Sequence, residues 1–366
     1  KIPSAKLHFI SSNPQVETEE NLLQSDSLKV TDEIEINVNT GQESQRLFKG
    51  LIYKIERNAE PSDGFETKIE CKDIAIKLTS QLEQGTDETF GDKIERYLNS
   101  IGMTNAVETG IWSDEVVSKT EQTTPWDYLL SYLDSLGLMT TIKDGVFSVV
   151  NITEKPENTS YLAQNGINIF EFEAKSEDSV EDVEIRYWNP KTQSVEKMES
   201  STEVSDGVGR EVIDMSQSHY TSEILAIITE ARAAKNRLLT DKGIVKTFGN
   251  ATANYGTYIE FSKVNPNIDS KPLLIRSENH IIENGCWFTE YAFGLEDNQS
   301  FAQKISTNTP NYNIITGETN SMQGLQIGIV TQIEGDPANE FRVRVRLTSI
   351  SDSAEGVWAR LSSFQA

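Results

Sequence analysis

The sequence has 366 residues, with 37% hydrophobic and 8% aromatic side chains and a formal net charge of −24 at pH 7. This length predicts two to four domains with packed cores. The excess of acid disfavours binding to nucleic-acid phosphates or anionic lipid, and no apolar run reaches the roughly 18 residues of a membrane span, so we expect no nucleic-acid partner and no stable membrane insertion.

The acidic surplus has two interpretations that the sequence leaves open. It serves solubility, or it forms an acidic surface or lumen that meets a complementary partner. The chain begins at Lys1 without a methionine and shows no signal peptide, and it stops inside a predicted fold. We therefore expect it to be trimmed at both ends.

Residues 1–80 have the pattern of short antiparallel strands. Residues 32–39 alternate between polar and apolar side chains, and residues 47–55 return as a partner strand after a turn at Gly41. A third alternating run covers residues 65–76. Short antiparallel strands joined by tight turns predict a barrel or a sandwich.

Residues 81–150 predict an α+β subdomain with two helices. The first begins at Thr89, and the second has Thr124 as its N-cap, Pro125 at the first helical position and Asp127 in the first turn. Gly137 is placed to end the second helix. The two apolar stripes consist of Phe90, Ile94, Tyr97, Leu98 and Ile101, and of Trp126, Leu129, Leu130, Leu133 and Leu136. Both stripes repeat at three and four, which predicts core-facing helices.

A β-hairpin follows directly. Residues 138–142 and 146–150 are apolar runs that flank Lys143, Asp144 and Gly145. An Asp-Gly pair between two such runs is the strongest short hairpin signal. We therefore predict helix, glycine and hairpin as one unit.

Residues 151–300 predict mostly strands, with one helix at residues 222–239. A hairpin is predicted near residues 183–198, followed by a polar loop at 199–209. Four alanines, Ala226, Ala231, Ala233 and Ala234, would let another element approach the helix closely. Further strands are predicted at 244–248, 257–261 and 285–293.

The last segments are a linker and the start of another sheet. Residues 301–323 lack periodicity and are rich in Asn, Thr and Ser, which is typical of a linker. Residues 324–366 predict three antiparallel strands. In the second, Phe341, Val343, Val345 and Leu347 alternate with Arg342, Arg344 and Arg346. The arginine face is either solvent-facing or a subunit interface.

The sequence predicts no catalytic, cofactor-binding or metal-ligating residues. The cysteines, Cys71 and Cys286, lie in apolar strand-like contexts and are expected to be buried free thiols. A zinc site built from them with His8, His219 and His280 has no motif in its favour. The acidic run consists of Glu177, Asp178, Glu181, Asp182 and Glu184. It is interpreted as a solvated loop, with calcium binding or paired acid–base chemistry as the alternative.

Two separate parts of the chain carry a family resemblance. The C-terminal pieces are Gly328-Ile329-Val330, Gly335-Asp336-Pro337, Arg342-Val343-Arg344-Val345 and Gly356-Val357-Trp358-Ala359-Arg360. They resemble the opening of the OB-fold in VgrG-like spike proteins of type VI secretion and of phage-tail-like particles. The unit from Trp126 to the following hairpin resembles the W-D-x-L-x-x-L-x-x-x-G-L helix of phage hub and late-control proteins. Gly50 stands where that family has a hairpin glycine.

The resemblance implies a domain order and a structural role. The order is a first hub β-barrel at 1–80, the helix–hairpin subdomain at 81–150, a second hub barrel at 151–300, a linker at 301–323 and the start of an OB-fold at 324–366. The fold class is mostly β with α+β insertions. The implied protein is a homotrimer that adapts a hexameric inner tube to a trimeric spike and helps to puncture a target envelope.

The implied partners are the tube protein, baseplate proteins and a spike-tip protein or effector cargo, and no cofactor is implied. Assembly would take place in the bacterial cytoplasm, with export or injection on firing. A β-helical needle usually follows the OB domain in this family. The alternatives are a spike-associated cell-wall hydrolase and an OB-type carbohydrate-binding module.

Overall fold

The protein is described from a computed structural model. The described residues are 2–11, 28–39, 44–60, 64–80, 89–107, 124–154, 156, 159–164, 166, 168–177, 182–189, 192–200, 209–215, 221–251, 253–297, 327–337, 341–347 and 356–361. Strands dominate these ranges, and three α-helices interrupt them. The predicted mostly-β class with α+β insertions is confirmed.

The N-terminal sheet has four antiparallel strands. They are β1 (Ser4–Ser11), β2 (Glu33–Asn39), β3 (Ser44–Glu60) and β4 (Gly64–Lys72), in the spatial order β1-β4-β3-β2. Its core is formed by Phe48, Ile52, Ile69 and Cys71. The third predicted strand was too long. It ends at Lys72 because the Asp73 carboxylate accepts a hydrogen bond from Ala75 N and starts a 3₁₀ helix at Ile74–Thr79.

The two helices of the next subdomain begin where the sequence predicts. Helix α1 spans Phe90–Ile101 and α2 spans Pro125–Ser135, and the hydroxyls of Thr89 and Thr124 accept from Asp92 N and Asp127 N. Each of these two threonines also donates to the carboxylate of that same aspartate. The N-caps are therefore confirmed.

The hairpin after α2 is also confirmed. A short strand β5 (Thr104–Asn105) joins β7 (Val146–Asn151), which pairs with β6 (Leu138–Lys143). Asp144 and Gly145 both have positive φ, 54° and 77°, as a type I′ turn requires. The tip of this hairpin touches both neighbours: Arg46 Nε of β3 donates to Asp144 at 2.9 Å, and Lys143 Nζ donates to Asn254 at 2.8 Å.

A mixed sheet and one helix share a core with α1 and α2. The sheet consists of β10 (Asp182–Asn189), β11 (Ser194–Glu199) and β12 (Arg210–Met215), and helix α3 (Ser222–Leu238) packs on it. At Ala231, α3 lies so close to α2 that a Cβ on Gly137 would be 2.9 Å from the Ala231 Cβ. The predicted hairpin and helix are confirmed. Of the polar loop predicted at 199–209, Glu199 belongs to β11, and residues 201–208 lie outside the described residues.

The largest sheet has six strands in the order β8-β14-β15-β16-β13-β9. They are β8 (Thr159–Gln164), β9 (Ile169–Ser176), β13 (Asp241–Phe248), β14 (Tyr258–Ser262), β15 (Leu273–Glu283) and β16 (Cys286–Phe293). Strands β8 and β9 are consecutive in the chain but occupy opposite edges. Six flat strands would separate the edges by about 24 Å, whereas the connection at 165–168 reaches at most about 18 Å. The sheet must therefore curl.

The interior of this curled sheet is aromatic. The Phe172 ring of edge strand β9 lies 5.4 Å from Phe261 of β14, and Phe293 of β16 contacts both rings. All three side chains belong to one apolar core with Tyr291 and Val245. Contact between strands from the two ends of the sheet confirms the curl, and the predicted domain boundaries remain predictions.

The C-terminal sheet has the three predicted strands. They are β17 (Gly328–Gln332), β18 (Arg342–Leu347) and β19 (Val357–Arg360), all antiparallel. Phe341 was expected on the buried face, but it precedes the strand with φ 58° and is 89% exposed. Arg342 is half-buried and makes a bidentate pair with Asp336, 2.8–3.1 Å away. The predicted linker at 301–323 lies outside the described residues.

Candidate assembly surface

One set of side chains resembles a catalytic triad in its distances. His280 Nε2 is 2.8 Å from the Glu278 carboxylate, and His280 Nδ1 is 3.1 Å from the Thr289 hydroxyl. Thr289 is fully buried, and its hydroxyl donates to the carbonyl of Asn250. Trp287 Nε1–H donates to the same Nδ1 that would have to act as base, at 3.3 Å. These hydrogen bonds therefore connect Asn250, which follows β13, to strands β15 and β16. The group offers no accessible nucleophile.

The predicted acidic run is an ion-pair network where the structure describes it. Glu184 on β10 is 3% exposed and accepts from Arg186 and from Arg210, whose Nη1 is 2.9 Å away. Arg210 also pairs with Asp182 at 2.6 Å. Glu177 pairs with Lys242, and Asp178 and Glu181 lie outside the described residues. The described carboxylates are thus neutralised by basic side chains of the same chain, which leaves them unsuited to bind calcium or to exchange protons.

This network predicts acid sensitivity. The hydrogen bond from Arg186, with that from Arg210, lowers the pKa of Glu184 to about 2. Because the folded-state pKa lies below the usual value, the carboxylate stabilises the fold above about pH 4.5. That contribution is lost as the pH falls toward 2. We expect urea midpoints to fall between pH 5 and pH 3, and to fall less in Glu184→Gln. If the urea midpoint fell by the same amount in the unsubstituted protein and in Glu184→Gln, this prediction would be contradicted.

The structure confirms the prediction for one cysteine and contradicts the prediction for the other. Cys71 is buried as predicted, but Cys286 is exposed, which makes that prediction wrong: Cys286 begins β16 beside the turn at Asn284 and Gly285, where the sheet ends. His8 pairs with Glu66, and His219 lies outside the described residues. Within the described ranges, no group of three or more His, Cys, Asp or Glu side chains is arranged to hold a metal ion.

The thiols provide a simple solution test. Burial raises the pKa of Cys71, which suppresses the reactive thiolate, whereas Cys286 lies open to solvent. With Ellman's reagent at pH 8, we expect one thiol per chain to react in the folded protein and two after unfolding. Cys286→Ser should abolish the fast reaction. Two fast thiols in the folded protein would contradict the placement of Cys71.

Three phenylalanines form an exposed cluster on the outer face of the curled sheet. Phe170 of β9, Phe248 of β13 and Phe288 of β16 lie with ring centroids 4.8–6.0 Å apart, and we call them the aromatic patch. Phe170 and Phe248 are each 55% exposed. Exposed aromatic clusters on a protein surface commonly mark interaction sites.

A β-bulge places Phe170 in this patch. Lys246 of β13 pairs with Glu171 and Thr247 pairs with Ile169, so Phe170 is the extra residue of β9. Regular alternation would put Phe170 on the inner face with Phe172, two residues further on. The bulge instead gives the inner position to Ile169 and turns Phe170 outward.

Charged side chains surround the aromatic patch. Next to the rings, the outer row contains Glu171, Lys246 and Glu290, and the Lys246 ammonium lies 5.4 Å from the Phe288 centroid. The following row contains Glu173 opposite Ile244, which is 40% exposed. The surface is therefore apolar at its centre with an acidic surplus at its rim.

Sequence reasoning missed this surface. Phe248 and Phe288 lie in strands that the sequence predicts, but β9 was not predicted, and neither were β8, β12 and β15. The only local signal was the alternation of Phe170, Glu171, Phe172 and Glu173. That alternation would have placed both phenylalanines on one face.

Comparison with known proteins identifies a family. A family model described as the Alg8 N-terminal domain matches residues 1–267. The chain belongs to this family. The residues of this chain that match the Alg8 N-terminal domain model extend from β1 to beyond β14. No curated protein sequence matches the chain, and none of the helices in the described ranges is long and apolar enough to cross a bilayer.

Two solved structures share the fold of this family member. The 43 kDa tail protein of prophage MuSo2 from Shewanella oneidensis is 11% identical and has a TM-score of 0.55, covering 81% of this chain and 90% of that one. The E. coli c3393 protein is 9% identical and has a TM-score of 0.55, covering 97% of this chain and 85% of that one. It is described as a type VI secretion component similar to T4 bacteriophage tail proteins gp27 and gp5. The fold is therefore of the phage-tail and type VI hub type.

Proposed function

We propose that this chain is a VgrG-like structural subunit of the hub and spike at the tip of a contractile, phage-tail-like injection machine. The observation that carries the proposal is the shared fold over 97% of the chain with a type VI component described as similar to gp27 and gp5. The C-terminal β17-β18-β19 sheet is the start of the OB-fold spike. The role is mechanical, with no covalent bond made or broken.

The N-terminal four-stranded sheet and the curled six-stranded sheet support an adaptor geometry. Each has a central strand with a glycine against a phenylalanine ring: a Cβ on Gly50 would lie 2.6 Å from Phe48 Cζ, and one on Gly243 would lie 2.7 Å from Phe293 Cζ. Two related barrels per chain would give a homotrimer six quasi-equivalent surfaces. A hexameric tube could dock there while three C-terminal sheets converge on a spike.

The position of the hairpin fits a machine that transmits force. Its tip contacts the N-terminal sheet through Arg46–Asp144 and the large sheet through Lys143–Asn254. The hydrogen bond and charge of Asp144 raise the pKa of Arg46. Because the hairpin tip bonds to both neighbours, we expect it to help to hold them together in an assembly with tube, baseplate and tip or cargo proteins.

Oligomeric state and particle incorporation test this function. Light scattering at micromolar concentration, on a protein that includes the whole C-terminal domain, should give three times the mass of its chain. Negative-stain images of co-purifying particles should show tailed tubes with gold label on the tagged subunit at one end. A monomer, or label scattered along the tube, would contradict the proposal.

The hydrolase alternative has a separate test. The triad-like group at His280 has a buried hydroxyl, which favours a structural role for it. We expect no clearing of peptidoglycan in a zymogram. A clear band at the mass of this chain would overturn the non-enzymatic role.

A further inference from the structure

We propose that the aromatic patch docks a protein other than this chain, through a partner surface that is apolar at its centre and basic at its rim. This inference rests on the proposed assembly function and specifies the chemistry of one partner. It rests on the bulge, the exposure of the rings and the charge around them.

The apolar centre of the patch depends on specific ring contacts and on the backbone of β9. Three aromatic rings in mutual contact offer a large binding area on side chains that are already held in place, so little conformational entropy is lost on binding. One of the three is outward only because the backbone of β9 departs from regular pairing at Phe170. A bulge that leaves a phenylalanine ring 55% exposed becomes more favourable when a partner covers that ring in the assembled state.

The charged side chains at the rim determine the sign of the charge that we expect on the partner surface. The outer face beside the rings contains the carboxylates of Glu171, Glu173 and Glu290 and the ammonium of Lys246. The next outer row pairs Lys242 with Lys175, and both of these lysines are paired with the Glu177 carboxylate. The whole chain adds a net charge of −24. Complementary potential across an interface then requires Lys or Arg on the partner around its apolar residues.

The same charges argue against a second copy as the occupant. A two-fold contact would bring the acidic rim of one copy against the same rim of the other copy, and like charges that face each other across an interface are unfavourable. A partner with basic side chains around its apolar residues does not meet this obstacle.

Cys286 provides a reporter for the test. It lies two residues before Phe288 on the same face of β16, and the sequence has one other cysteine, the buried Cys71. An environment-sensitive maleimide dye on the full-length protein would therefore label one site beside the patch. The probes are two twelve-residue peptides, one alternating Lys with Val and Phe and the other identical except for Glu in place of Lys.

We expect the basic peptide to bind at least about tenfold more tightly than the acidic one at 50 mM NaCl, and to weaken in 500 mM NaCl as the rim is screened. Phe170→Ala with Phe248→Ala should weaken the basic peptide at least about tenfold. Glu173→Lys with Glu290→Lys should weaken it and strengthen the acidic peptide. Phe9→Ala, an exposed phenylalanine on the N-terminal sheet, is the matched control and should change neither affinity.

Three results would overturn the inference. They are equal affinity for the two peptides, unchanged binding of the basic peptide after the double phenylalanine substitution, and sedimentation showing self-association that the same substitution abolishes. The last result would identify a second copy as the occupant. Trimer mass and particle incorporation are measured without peptide, so a failure of the assembly function is distinguished from a failure of the basic-partner inference.

Discussion

Phe293→Ala is expected to lower the free energy of unfolding by about 3–5 kcal/mol, the range for removing a buried phenylalanine side chain. The ring is fully buried inside the curled sheet, between Phe172 and Phe261, with its edge over Gly243. Phe261 lies on β14 between two neighbouring strands, and Phe293 itself lies on β16 between β15 and β13, so the cavity can collapse only in part. Urea unfolding followed by circular dichroism at 25 °C measures the loss.

The matched control is Phe248→Ala on the outer face of the same sheet. Its ring is more than half exposed and packs against the other two rings of the patch, so we expect a cost below about 1.5 kcal/mol. Equal losses for the two substitutions would contradict the assignment of inner and outer faces. The control also shows that patch variants remain folded for binding experiments.

Gly137→Ala is expected to destabilise the protein by about 2–5 kcal/mol. Gly137 has φ 73°, which costs an L-residue about 1–2 kcal/mol. Its Cβ would also lie 2.9 Å from the Ala231 Cβ and 3.1 Å from Thr153 Cγ2, and overpacking adds about 1–3 kcal/mol. Because α2, α3 and the hairpin meet at this point, the backbone cannot move away. Calorimetry and urea unfolding should both report the loss.

Gly102→Ala separates the cost of the positive φ angle from the cost of the close contact. Gly102 also ends a helix, with φ 75°, but a Cβ there would meet nothing within 4 Å. We expect only the conformational cost, about 1–2 kcal/mol. If Gly102→Ala is as harmful as Gly137→Ala, the close contact between Gly137 and Ala231 is not the reason for the glycine.

The local elements were largely predictable because their signals lie within a few residues of each other. Thr89 and Thr124 cap helices through hydrogen bonds three residues away, and Asp144 with Gly145 supplies the two positive φ angles of its turn. Alternation in residues 341–347 predicted a strand correctly, but not its first residue. Phe341 departs because its own φ is positive, which alternation does not encode.

The sequence by itself determined the helix caps, the hairpin after α2, the three C-terminal strands and the mostly-β class, since each depends on neighbouring residues. Tertiary structure alone decided that β8 and β9 lie at opposite edges of one curled sheet, that Cys286 is exposed, and that Phe170 faces outward. The physical reason is strand pairing over long sequence separations: one extra residue in β9 opposite Lys246 changes which side chains reach the core. The aromatic patch, and with it the proposed docking surface, follows from that single change of register.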